Sequence, residues 1–306
     1  MVTSEANYAR CTEVSERVSW TIDEVLGSCQ FDFGRKFLPE ALAQVSEIEG
    51  LSAGEQLLLN QIRGLTYAHL FGYVEEFIVQ HTMELSAFYP HERPTERRAL
   101  LRFAEEEVKH QILFERVKTA LLARLGDCGL IPGAGDVASA VRKNSELCVL
   151  LLSTMLELST QNHYTEMFRA GEERESLDPT FVQIFKSHWI EESQHTKLGA
   201  MEVERAAGRA TQDQRDTAID ELLAIGGAFD GLLKAQVVLD LASLERLAGR
   251  VFPVSLRQRI EAGQHKAYRY TFLVSALRHP KFRELVGEVS SIGNEKLEAA
   301  ATALSA

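Results

Sequence analysis

The chain has 306 residues, a formal net charge of −11, 45% hydrophobic residues and 25% charged ones. That length can bury a large core, and the acidic balance excludes nucleic acid as the main partner, because a phosphate backbone is bound through a basic face. No apolar run approaches the roughly 20 residues that span a bilayer, so no membrane partner is expected.

The amino terminus, MVTSEANYAR, lacks the basic, apolar and small-residue order of a secretory signal. Cys11, Cys29, Cys128 and Cys148 show no CxxC spacing, which argues against a disulfide framework or a zinc knuckle. A reducing, cytoplasmic setting is the expectation.

Apolar residues recur at helical intervals almost throughout, and no period-2 strand stands out. The first 50 residues hold one or two shorter helices. Longer helices are predicted over about 53–87, 95–125, 137–170, 179–208, 212–249 and 256–278. Turn chemistry separates them at FYPHERPT, GDCGLIPGAGD, GEERESLDPT and RVFPVS. Pro94 and Pro179 sit where a first helical turn tolerates proline, and Asp178 has the character of an N-cap. The chain reads as a single all-α domain over 1–306, with a four-helix bundle at about 53–208 and flanking helices at about 1–50 and 212–300.

The first long helix carries YAHLFGYVEEFIVQ, where Glu75 and Glu76 interrupt an apolar stretch. At 100° per residue, Glu75 borders the stripe of Tyr67, Leu70, Phe71, Val74 and Ile78, while Glu76 points further away; Glu75 is the preferred inward residue. The second carries FAEEEVKHQILF, with Glu107 and His110 three apart. The third carries CVLLLSTMLELSTQ, in which Glu157 is the lone charge. Ionised carboxylates are rarely buried unless paired or bound to metal. In the fourth, HWIEESQH places His188, Glu192 and His195 on one helical stripe.

A single ExxH arises readily by chance. The order in which these residues come is the signal: Glu, then ExxH, then Glu, then ExxH on four successive helices. Four-helix bundles that bind two iron or manganese ions use such inward carboxylates and histidines. The carboxylates offset the charge of two divalent ions, imidazole suits iron, and open positions admit dioxygen. The last two helices supply apolar faces, such as Leu222, Leu223, Ile225, Phe229 and Leu232, suited to flanking the bundle, covering an entrance or forming a homodimer.

Over residues 60 to 200 the pattern resembles the ferritin-like di-iron carboxylate proteins. His188, one turn before Glu192, is similar to the third histidine of the p-aminobenzoate N-oxygenase group, which serves there as a seventh ligand. In the first half Phe103 occupies the corresponding place. The resemblance implies two iron ions, with manganese as the alternative, held by Glu75 (or Glu76), Glu107, His110, Glu157, His188, Glu192 and His195. It implies O2 activation, an electron donor and oxidation of a small organic substrate, with amine or arylamine N-oxygenation as the sharper form. Ferroxidase or storage activity, and a metal-binding bundle without oxygenase activity, are the alternatives.

Overall fold

The long helices begin where the sequence supplies partners for their free N–H groups. Ser52 and Glu55 form a reciprocal capping box at the first, and Thr211 and Gln214 do the same further on. Asp178 accepts from the Phe181 N–H at 2.6 Å, with Pro179 in the first turn, so the expected N-cap is in place. The computed structural model describes residues 5–27, 30–169 and 174–306. Cys29 and residues 171–173 of the turn before Asp178 lie outside the described residues.

The helices, in order, are α1 (Glu5–Val18), α2 (Ile22–Leu26), α3 (Glu40–Ala43), α4 (Ala53–Ser86), α5 (Pro94–Leu125), α6 (Ala134–Val141), α7 (Glu146–Asn162), α8 (Pro179–Arg209), α9 (Gln212–Ala248), α10 (Val254–Arg269), α11 (Ser275–Leu277), α12 (Pro280–Val289) and α13 (Gly293–Ser305). Two π-helical segments, His163–Arg169 and Tyr270–Val274, continue α7 and α10. The only β pairing among the described residues is an isolated bridge between Lys36 and Leu177. The fold is all-α.

The four-helix bundle is ferritin-like. It consists of α4 packed on α5 and α7 packed on α8, with α5 meeting α8 across the middle. α1 lies over α5 and α8, and α9 covers α4 and α7. Gly199 allows α7 and α8 to approach closely: a Cβ there would come within 2.5 Å of the Thr154 hydroxyl.

Two sequence expectations need correction. The predicted helix over 137–170 is two helices, broken at 142–145, because Ser145 caps a new start by accepting from the Cys148 N–H. And α9 does contain an apolar window long enough to cross a membrane by length and composition, with mean hydropathy 1.6. In the structure α9 packs on α4, α7 and α10. Its Gln236 and Asp240 are fully buried in a polar network with Thr66, Gln264 and Tyr268.

The apolar core divides into two large clusters along the bundle. One includes Phe71, Phe114 and Phe185, and the other Ile78, Phe103, Leu150 and Leu198. On each helix the candidate ligands fall between these stretches. A thin layer of buried polar groups therefore separates two apolar blocks.

Candidate metal centre

The layer is built from all four bundle helices. Glu75 comes from α4, Glu107 and His110 from α5, Glu157 from α7, and His188, Glu192 and His195 from α8. None of the seven is more than 4% exposed. Glu76 lies on the adjacent face, where its carboxylate accepts from Gln80 at 2.6 Å and Gln111 at 2.9 Å. Of the two sequence candidates on α4, Glu75 is the one that turns inward.

Glu107, His110, Glu192 and His195 bring ligand atoms within 4.8 Å of one another, and Glu75, His110 and His188 form a second such group. His195 Nδ1 stands 2.7 Å from Glu107 Oε1 and 3.1 Å from Glu192 Oε2. Glu157 Oε2 lies 3.9 Å from the same nitrogen. His110 Nδ1 lies 3.2 Å from Glu192 Oε1. His188 Nε2 is 3.3 Å from Glu75 Oε1 and 3.0 Å from Glu192 Oε1. The two groups share His110, and His188 brings Glu192 beside Glu75.

A second layer fixes the first. His110 Nε2 donates to Glu191 at 2.9 Å, and His195 Nε2 donates to Glu106 at 3.0 Å. A carboxylate can only accept here, so each imidazole carries a proton on Nε2 and turns Nδ1 inward, the nitrogen left for a metal once its own proton is lost. In each EExxH segment the first glutamate serves the histidine of the opposite helix.

These outer carboxylates have cations of their own. Glu191 accepts from Lys109 at 2.5 Å, and Glu106 lies 3.2 Å from Arg102. α1 and the turn after it complete the layer. Ser15 donates to Glu106, and the Trp20 carbonyl accepts from Lys109 at 3.1 Å. The sequence reading missed Glu106, Glu191, Ser15 and Trp20. The doubled glutamate of EExxH was the available signal for the first two, and nothing in the sequence points to the others.

Arg102 and Lys109 are the basic residues a buried Glu157 could have paired with, and both are committed to this outer layer. The four inner carboxylates, Glu75, Glu107, Glu157 and Glu192, therefore have only imidazoles for company. Burial, then the negative Glu107, pushes Glu75 well above the usual carboxylate range. Burial opposes charge on His110 and His195 too, yet the surrounding carboxylates win and hold both imidazoles well above the ordinary range. Protons thus stand in for missing positive charge.

Two buried side-chain atoms in this layer, Glu75 Oε2 and His188 Nδ1, have no polar partner, while Glu107 Oε1, His110 Nδ1 and Glu192 Oε1 face one another and their neighbours without hydrogen-bond alignment. Leaving a buried polar group unsatisfied costs about 1–3 kcal/mol each. Converging imidazoles and four carboxylates, enough to neutralise two divalent ions, are what a dimetal site requires. The arrangement could hold two metals.

His188 differs from the other two histidines in having no carboxylate behind it. The edges of Phe71 and Phe114 meet its ring, at centroid distances of 5.3 and 5.1 Å. Burial, reinforced by nearby His110, keeps it neutral well below the ordinary histidine range. Phe103, its counterpart on α5, instead stacks on His195 at 4.0 Å.

The remaining histidines lie outside the cluster. His163 accepts from the Tyr67 hydroxyl at 2.8 Å, His69 bonds the Ile131 carbonyl at 2.9 Å, and His265 bonds Asp230 at 2.8 Å. Tyr164 and Trp189 stack on each other.

No protein-family model matches the chain, and no curated protein matches it. Among solved structures it is similar to variants of an R2-like ligand-binding oxidase. One, with an aerobically reconstituted Mn/Fe cofactor, has 14% identity and a TM-score of 0.46, over 84% of this chain and 92% of that one. Another, with an aerobically reconstituted Fe/Fe cofactor, has 13% identity and a TM-score of 0.45, over 86% of this chain and 92% of that one.

Proposed function

We propose that this chain is a dimetal oxidase or oxygenase that uses dioxygen to oxidise a small organic molecule. Two iron ions, with manganese as the alternative, would be held by Glu75, Glu107, His110, Glu157, His188, Glu192 and His195. The observation that carries this reading is the set of four buried carboxylates that converge with three imidazoles and have no lysine or arginine among them. When bound, such a metal pair supplies the electrons that reduce dioxygen, and an external electron donor would restore them.

The protein's own residues provide orientation and exclusion. Glu191 and Glu106 hold His110 and His195 in one tautomer and one rotation. Lys109 and Arg102 place positive charge beside those outer glutamates without adding net charge to the inner layer. Phe71, Phe114 and Phe185 pack together beside His188 and keep bulk water from that side. The third imidazole favours amine N-oxygenation as the specific chemistry, since His188 adds a neutral donor beside Glu75 and Glu192 without replacing either.

The test is the variant His188→Ala, loaded anaerobically with Fe(II) and then exposed to O2 with a panel of amines. Oxidised product per O2 consumed is measured alongside iron content. His188→Ala should keep most of its iron and lose amine oxidation. Undiminished oxidation would remove His188 from the chemistry. Turnover of many irons per chain into mineral, without organic product, would overturn the oxygenase reading.

A further inference from the structure

Two cavities meet beside the metal layer. The inner one has a volume of about 40 Å³, and Glu75, Glu107, Glu157, His188 and Glu192 reach its wall. The outer one, of about 360 Å³, is walled by apolar residues and falls within the range of small-molecule sites. Val74, Leu156, Phe229 and Phe272 line both and stand at the boundary between them. Around the inner cavity only these four and Thr160 are partly exposed, and every other lining residue is buried. Its way out therefore runs past the boundary. A space of about 40 Å³ takes a few water-sized molecules, so an organic molecule reaches the metal layer only if the boundary moves.

The four boundary residues are not equally mobile. Val74 and Leu156 belong to α4 and α7, which are packed into the four-helix bundle. Phe229 and Phe272 come from outside it, from α9 and the π-helical segment Tyr270–Val274. Their rings meet edge to face, with centroids 6.3 Å apart and planes at 90°. Around Phe229 the sequence GGAFDG places three glycines within one stretch of α9, and glycine is a poor helix former. A Cβ at Gly227 or Gly231 would meet nothing within 4 Å, so packing does not demand glycine there. π-helical irregularities such as the one carrying Phe272 recur at functional sites.

An ion pair ties the same two elements together. Asp230, next to Phe229, accepts from Arg269 Nε and Nη2, each at 2.8 Å, and His265 bonds it at 2.8 Å. Arg269 is the last residue of α10 before the segment that carries Phe272. Its guanidinium holds the Asp230 carboxyl below the usual range. The two-point contact fixes the separation of the backbones that carry the two rings.

We infer that Phe229 and Phe272 form a gate that selects by size what passes from the outer cavity to the metal layer, and that Asp230 and Arg269 latch it. Dioxygen slips past the closed rings, whereas an organic substrate needs them apart. The inference rests on the proposed oxidation for the identity of what travels through the gate.

Thiol labelling reads the gate in metal-free protein. Ser159→Cys places a reporter thiol on the inner wall. Methyl or benzyl methanethiosulfonate is added, and modification at position 159 is followed by peptide mass spectrometry. Relative to a small free thiol, the benzyl reagent should label at least about tenfold more slowly than the methyl one, because labelling follows the population of the open state. Phe229→Ala or Phe272→Ala should raise the benzyl rate about tenfold and the methyl rate less than about twofold. Asp230→Asn should raise the benzyl rate severalfold, and added salt should act in the same direction by screening a partly exposed pair. Thr271→Cys supplies a second reporter on the same wall if the first does not fold.

Equal access of the two reagents, or a benzyl rate unchanged in folded Phe229→Ala and Phe272→Ala, would overturn the gate. An unchanged rate in folded Asp230→Asn would overturn the latch. Failure of the metal reading shows separately, as protein that takes up no iron yet keeps its size-selective labelling.

Discussion

Replacing Glu191 by alanine should weaken metal binding although Glu191 is no ligand in the proposed set. The residue is fully buried, accepts from His110 Nε2 at 2.9 Å and from Lys109 at 2.5 Å, and holds the imidazole with Nδ1 inward. Without it His110 can rotate or change tautomer, and the positive Lys109 loses its carboxylate beside the site. Losing a carboxylate behind a ligating histidine typically costs 10–100-fold in metal affinity, about 1.4–2.7 kcal/mol.

The assay is an anaerobic competition titration of Fe(II) against a chromophoric chelator, with the fold checked by circular dichroism. Glu106→Ala should behave alike, because Glu106 holds His195 in the same way. His265→Ala, whose ring bonds Asp230 away from the cluster, should leave affinity unchanged. Wild-type affinity in both glutamate variants would refute the reasoning that these outer carboxylates orient ligands.

Glu75→Ala should lose metal while Glu76→Ala retains it, as read by iron content after loading, because only Glu75 reaches the inner layer. The metal-free protein should melt below the metal-loaded one, with a gap that widens from pH 5 to 8. Raised pKa values at His110, His195 and Glu75 mean that the metal-free fold loses its stabilising protons as pH rises, while metal binding needs those groups deprotonated. A constant gap in calorimetry would count against that linkage.

Asp240 has its pKa raised from 3.8 to about 6 by burial, against hydrogen bonds from Tyr268 and Gln236. It should therefore cost stability as pH rises through that window, by roughly 3 kcal/mol in total. Asp240→Asn should flatten urea-derived stability between pH 4 and 6, and an unchanged slope would show that Asp240 is not the titrating group.

Much of the architecture was legible because ligands and periodicity point the same way. The apolar stripe through Tyr67, Phe71, Val74 and Ile78 favoured Glu75 and left Glu76 as the alternative, and in the structure the face that packs is also the face that turns Glu75 inward. Ser145 was not read as a helix start, because its single hydroxyl sits inside an otherwise continuous helical pattern. Glu106 and Glu191 escaped notice for a different reason. Each acts on a histidine about 80–90 positions away along the chain, across the α5–α8 contact, and no spacing within one helix encodes that pairing. The apolar run of α9 was underestimated because Asp230, Lys234 and Asp240 break it up, although an 18-residue window with few charges remains.

The central claim is that one buried layer holds two metal ions. Elemental analysis of protein loaded anaerobically with Fe(II) and freed of excess metal tests it most directly. Four carboxylates with three imidazoles converging in one bundle predict about two irons per chain, and a clear drop in Glu157→Ala. One iron or none in the folded wild-type protein would contradict the account.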